Sequence, residues 1–153
     1  LPIANSETGV AAIMGHEVAH ALANHGQQRM SAGMIQQGAG VGVAVLTKDK
    51  KPSEQALWMQ AYAVGSSVGG MLPFSRSHET EADKIGLYLM AIAGYNPEEA
   101  SKLWERMKAN SGGKGPPEFL STHPSNGSRI SNLKSLADQA KDEARKFGVT
   151  SFR

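Results

Sequence analysis

His16-Glu17-Val18-Ala19-His20, lying within the run Gly9-Val10-Ala11-Ala12-Ile13-Met14-Gly15 and continuing into Ala21-Leu22-Ala23, decides how the rest of the chain is read. Asn5 or Ser6 can cap this Ala-rich segment and Glu7 sits in its first turn, so the pattern predicts a helix over 6–30. Between Val10 and Ala23 the only polar side chains are His16, Glu17 and His20, and most of the helix's circumference is expected to be buried. Residues four apart share a face one turn apart, so the imidazoles of His16 and His20 can reach one ion at Zn–N distances of about 2.0–2.1 Å. Glu17 lies off that line, where its carboxylate can take a proton from a water beside the metal instead of ligating. The bland alternative is a trio of polar residues at the edge of a core helix, and leaving such groups unpaired in an apolar wall is costly.

Two imidazoles do not complete a hydrolytic zinc site, which commonly takes a third protein ligand. A third His six positions beyond His20 would need to stand at 26, where the chain has Gly26, with Ala23 and His25 also out of pattern. A di-iron bundle needs two Glu-x-x-His motifs and only Glu17 to His20 qualifies. The remaining candidate is Glu79-Thr80-Glu81-Ala82-Asp83 on a later helix. Glu79 and Asp83 share a face there, so Glu79 can bind the metal while Asp83 accepts the outer N–H of a ligand imidazole, with Glu81 pointing elsewhere. The competing reading of this cluster is a helix N-terminus decorated with favourable negative charge.

The 153 residues fit one domain with a real core, and 40% apolar with 20% charged residues mark a folded chain. Sixteen Lys+Arg against 14 Asp+Glu leave +2, which offers no basic stripe for nucleic acid. With no Cys, disulfides, thiolate nucleophiles and Cys-ligated zinc are excluded, so any metal site must use His and carboxylates. The chain opens at Leu1-Pro2 with no basic-then-apolar segment, and its start reads as processed or truncated.

Two further stretches, 30–47 and 55–75, carry no charge and flank the turn Lys48-Asp49-Lys50-Lys51-Pro52. They have spanning length, but Gln36, Gln37, Gln55, Gln60 and Pro73 interrupt them. In the second, Leu57, Ala61, Val64, Val68, Met71 and Leu72 recur at helical spacing, as expected of a stripe packed on protein, with a membrane hairpin or peripheral contact as the rival reading. A helix is predicted from about 75 or 77 to 93, ended by Gly94. The next is capped by Asn96, starts with Pro97, and has Leu103, Trp104 and Met107 on its inner face. Ser111–Pro117 reads as a loop, and a last helix runs to about Phe147 with Ile130, Leu133, Leu136, Ala137 and Ala140 as its apolar stripe. His25 and His78 are read as surface residues or residues behind the site.

Taken in order, His16-Glu17-x-x-His20, Ser75-Arg76 with Glu79-x-x-Ala82-Asp83, and Thr122-His123-Pro124 with Arg129-Ile130 resemble the zinc metallopeptidases of the HtpX and CAAX prenyl endopeptidase type, above all the BepA-like bacterial envelope branch. The resemblance runs from about residue 5 to 135. It implies a mainly helical zincin-like (gluzincin) core spanning 1–153 as a single metallopeptidase domain, without the edge-strand segment that precedes the HExxH helix in the family. It implies Zn2+ held by His16, His20 and Glu79, with Glu17 as general base. It places His123 near the metal, either stabilising an oxyanion or capping the zinc as a fourth ligand, or as a plain turn residue before Pro124. Arg129 would pair with an active-site carboxylate or substrate, or cap its own helix. The implied activity is hydrolysis of peptide bonds in extended, unfolded or mislocalised polypeptides, with a zinc-stabilised chaperone or binding module as the alternative. The implied location is the bacterial cell envelope, in the periplasm, with a possible peripheral membrane or outer-membrane assembly contact.

Overall fold

A computed structural model describes residues 3–110, 123 and 127–153. The expected loop Ser111–Pro117, and Thr122 and Pro124 beside His123, lie outside the described residues. Among those described the chain is mainly helical and holds no strand. They fall into two compact units, one from the residues up to 23 together with those from 79 onward, the other Asn24–His78.

In the first unit, α1 (Glu7–Leu22) starts where the Ser6 side chain accepts the Gly9 N–H at 2.9 Å. It does not run on to 30. Asn24 takes a left-handed φ of 55°, a conformation Asn tolerates better than most residues, and a new helix begins after it. Nor is its circumference buried. Gly9, Ala12, Gly15, His16 and Ala19 face inward, whereas Val10, Met14, Val18 and Leu22 form an exposed stripe.

α4 (Leu72–Ile92) straddles the division between the units and is followed by Gly94 at φ 84°. The Asn96 side chain accepts the Glu98 N–H at 3.1 Å and opens α5 (Glu98–Asn110). α6 (Gly127–Lys146) closes the layer. Leu87, Met90 and Ala91 of α4 pack with Leu103, Trp104 and Met107 of α5 and Leu133, Ala140 and Ala144 of α6 around Ala12 of α1. Each large side chain so enclosed contributes about 1.5–3 kcal/mol relative to exposure. The terminal residue ties this unit off, since Arg153 N–H donates to Gly94 C=O at 3.0 Å and its own C=O accepts from Asn96 N–H at 2.8 Å.

The second unit is a hairpin of α2 (His25–Leu46) and α3 (Pro52–Ser66), prolonged by a π-helical turn over Ser67–Met71. Its arms meet through polar groups: Tyr62 OH donates to the Gln36 carbonyl, Gln36 Nε2 to Ser66 Oγ at 2.8 Å, and Gln55 Nε2 to the Ala44 carbonyl at 3.4 Å. Gly40 leaves room for the Tyr62 ring, which a Cβ there would meet at 3.2 Å. The apolar residues expected to pack on protein therefore point outward, with Leu57 66%, Val64 58% and Val68 60% exposed. Among the described residues no helix is long and apolar enough to cross a membrane.

Candidate metal centre

One crossing positions the centre. α1 and α4 touch at Gly15 and Gly86: a Cβ on Gly15 would stand 2.8 Å from the Gly86 carbonyl oxygen, and one on Gly86 would stand 2.9 Å from the backbone nitrogen of His16. That contact lets the helix bearing His16 and His20 lie directly against the one bearing Glu79 and Asp83. Sequence reasoning misses both glycines; the available signal is a Gly beside the motif and another inside a helix of good helix formers, where Gly costs about 1 kcal/mol.

His16, His20, Glu79 and His123 each offer one donor atom, and the four lie within 4.8 Å of one another. His16 Nε2 is 3.1 Å from His20 Nε2, 3.3 Å from Glu79 Oε2 and 3.3 Å from His123 Nδ1. His20 Nε2 is 3.3 Å from Glu79 Oε1, and His123 Nδ1 is 3.0 Å from Glu79 Oε2. Bonds of about 2.0–2.1 Å to a tetrahedral zinc place donors roughly 3.3–3.4 Å apart, close to these separations. A hydrogen-bonded reading fits worse, because the single His16 Nε2 faces these three donors and also Arg129 Nη2 at 3.3 Å, and can give or take only one proton. The donor set, imidazole and carboxylate without sulfur, fits zinc.

Around the donors stands a second set of contacts. His16 Nδ1 lies 3.0 Å from Asp83 Oδ1, and Asp83 in turn takes a two-pronged contact from Arg129, Nε to Oδ2 and Nη2 to Oδ1, both at 2.6 Å. Arg129 Nη1 also reaches Glu79 Oε2 at 2.9 Å. The guanidinium lies 3.7 Å from the centroid of the Trp104 ring, which meets the His16 ring edge-on at 6.4 Å. The sequence marks Trp104 only as a core residue; its role as the floor under Arg129 leaves no local signal. Glu17 stays outside the donor set, 46% exposed, with Oε1 3.3 Å from His123 Nε2. His25 and His78 are not at the surface: both are buried, their rings are stacked at 4.1 Å, and neither belongs to the donor set.

Burial works to lower the pKa of His16, but hydrogen bonds to Asp83 and Glu79 outweigh it and leave the imidazole above its ordinary value. For Glu79 burial acts upward, and hydrogen bonds from His123 and His16 with the Arg129 charge prevail, holding the carboxyl well below the usual carboxylate range.

Residues 1–137 match peptidase family M48. The chain belongs to that family. Among M48-related proteins, Mitochondrial metalloendopeptidase OMA1 of Saccharomyces cerevisiae is 36% identical over 150 residues, covering 93% of this chain and 40% of the relative. Metalloendopeptidase OMA1, mitochondrial, of Homo sapiens is 36% identical over 137 residues, covering 84% of this chain and 25% of the relative. Beta-barrel assembly-enhancing protease of Escherichia coli is 27% identical over 147 residues, covering 90% of this chain and 29% of the relative. No solved structure matches the chain. The chain thus spans well under half the length of these relatives. The bacterial-envelope, periplasmic location implied by the motif resemblance is overturned, because relatives named as mitochondrial stand at 36% identity against 27% for the envelope protease.

Proposed function

We propose that this chain is the metal-binding and catalytic portion of a zinc metalloendopeptidase that hydrolyses peptide bonds in extended, unfolded or mislocalised polypeptides. The observation that carries the reading is the group of four donor residues, His16 and His20 of α1, Glu79 of α4 and His123, whose donor atoms lie within 4.8 Å of one another and of which five of the six pairs approach to 3.0–3.3 Å, near the edge length of a zinc tetrahedron. The motif order supports kinship with the HtpX and CAAX prenyl endopeptidase type inside the family. The names of the relatives support a mitochondrial setting, and a single metallopeptidase domain over 1–153 remains part of the proposal.

His16, His20 and Glu79 would hold the ion. When bound, zinc supplies Lewis acidity, polarising the substrate carbonyl and lowering the pKa of a water to about 7. Asp83 accepts the Nδ1–H of His16, which fixes the tautomer and leaves Nε2 facing the donor group. Arg129 neutralises Asp83 and steadies Glu79 from behind. Glu17 accepts the proton given up by the attacking water and returns it to the leaving amine, for which its solvent-facing position beside His123 is suited. Glu17→Gln keeps the size and removes the basicity. The expected outcome is unchanged zinc stoichiometry with cleavage of unfolded casein reduced by about 10²–10⁴-fold; wild-type cleavage by that variant removes Glu17 from the mechanism.

One observation favours a second reading, a zinc-stabilised chaperone or binding module without turnover. With His123 Nδ1 inside the donor set, four protein ligands are present, as in structural zinc sites, whereas catalytic ones leave a position open. Under the first reading His123 caps a resting state and swings aside for substrate. Stoichiometric zinc with no chelator-sensitive cleavage by the wild type would decide for the module.

A further inference from the structure

The hairpin unit Asn24–His78 leaves many of its large apolar side chains in solvent, while its arms meet through Gln36, Gln55, Tyr62 and Ser66. On α2, Met30 (69% exposed), Met34 (70%), Val41 (64%) and Val45 (58%) fall at i, i+4, i+11 and i+15, a single helical face. On α3, exposed Leu57, Ala61 and Val64 repeat the pattern at i, i+4 and i+7. Large apolar side chains left exposed at helical spacing on both arms are more than scattered surface residues and mark a contact surface.

The charges say which contact. No ionisable Asp, Glu, Lys or Arg occurs over 30–47 or 55–75, while Arg29, Lys48, Asp49, Lys50, Lys51, Glu54 and Arg76 bound the two stretches. The unit therefore holds five Lys/Arg against two Asp/Glu, a surplus of three, whereas the rest of the chain, with eleven against twelve, is slightly acidic. A second copy of the unit would bring the same cationic surplus against itself. An anionic lipid surface attracts it, by about 1 kcal/mol per basic residue close to the headgroups. Trp58, 53% exposed and two turns from Lys51, suits the headgroup level. Since no described helix is long and apolar enough to cross, the arms lie along the surface.

We propose that the α2–α3 hairpin is an interfacial anchor, which beds its outward apolar stripes in the headgroup–acyl boundary of an anionic bilayer and keeps its basic ends in the headgroups. This rests on no part of the peptidase reading, and neither zinc nor cleavage enters its test. The chain is floated on density gradients with vesicles of phosphatidylcholine alone or with about one-third phosphatidylglycerol. It is expected to rise with the mixed vesicles, less with the neutral ones, and less as salt increases. Met34→Asp with Val41→Asp, both at exposed positions, should lower partition by at least about tenfold, while Phe147→Asp, exposed outside the hairpin unit, should leave it unchanged. The proposal is overturned if the wild type stays at the bottom with both vesicles, if the double variant floats as well as the wild type, or if neutral vesicles serve equally. A wild-type dimer in sedimentation that the same variants disperse, without flotation, would assign the surface to a second copy.

Discussion

Two groups in the donor cluster titrate away from their ordinary values in opposite senses, and this sets the pH behaviour of the chain with and without metal. The His16 pKa is raised above 6.5, so its contribution to metal-free stability is fully present below that value and is lost as pH climbs through the folded one. The Glu79 pKa is depressed from 4.5, so its contribution is present above that value and fades only as pH falls through the folded one. Chelated protein is therefore most stable between these limits and weakens toward alkaline pH. With zinc held as proposed, the order should reverse, because protons would compete for His16 and His20 and the metal's stabilisation would shrink as pH falls. Denaturant midpoints at about pH 6 and pH 8 should rank in opposite order for the two forms. Identical midpoints for the chelated form at both values would mean that the contacts of His16 with Asp83 and Glu79 do not couple to folding.

At the scale of the helix, the crossing at Gly15 and Gly86 is what the donor geometry depends on. Gly86→Ala places a Cβ 2.9 Å from the His16 backbone nitrogen, an atom that cannot rotate away, so α1 must shift. Overpacking of this kind costs about 1–3 kcal/mol, and zinc affinity should fall with it because His16 moves. Gly38 on α2 has open space where a Cβ would stand, with nothing within 4 Å, so Gly38→Ala should instead stabilise by about 0.5–1 kcal/mol through helix propensity. Equal effects of the two substitutions in thermal melts would show that the crossing is not close-packed. The pair also marks where sequence reasoning stops. His16, His20 and the face shared by Glu79 and Asp83 are legible because helical spacing alone relates residues four apart. Helix α5 is legible in the same way, with Leu103, Trp104 and Met107 buried as its period requires. The Arg129 stack on Trp104, the end of α1 at Asn24 and the inward polar face of the α2–α3 hairpin depend on what each helix meets, which no local period encodes.

Over the whole molecule, the donors bracket the hairpin in sequence: His16 and His20 precede Asn24–His78, Glu79 follows it at once, and His123 comes later. An ion held as proposed would join three separated stretches of the first unit and close the long chain excursion between His20 and Glu79, so its binding free energy would act as folding free energy for that unit. No donor lies in the hairpin, whose internal bonds run from Gln36 to Ser66, from Tyr62 to Gln36 and from Gln55 to Ala44. Amide hydrogen exchange with zinc and with chelator separates these roles. Zinc should slow exchange in α1, in α4 from Glu79 onward and at the start of α6, and leave α2 and α3 unchanged. Protection gained equally in α2 and α3 would show that the hairpin responds to the ion despite giving it no ligand, and the account of the metal as a clamp on the first unit alone would fail.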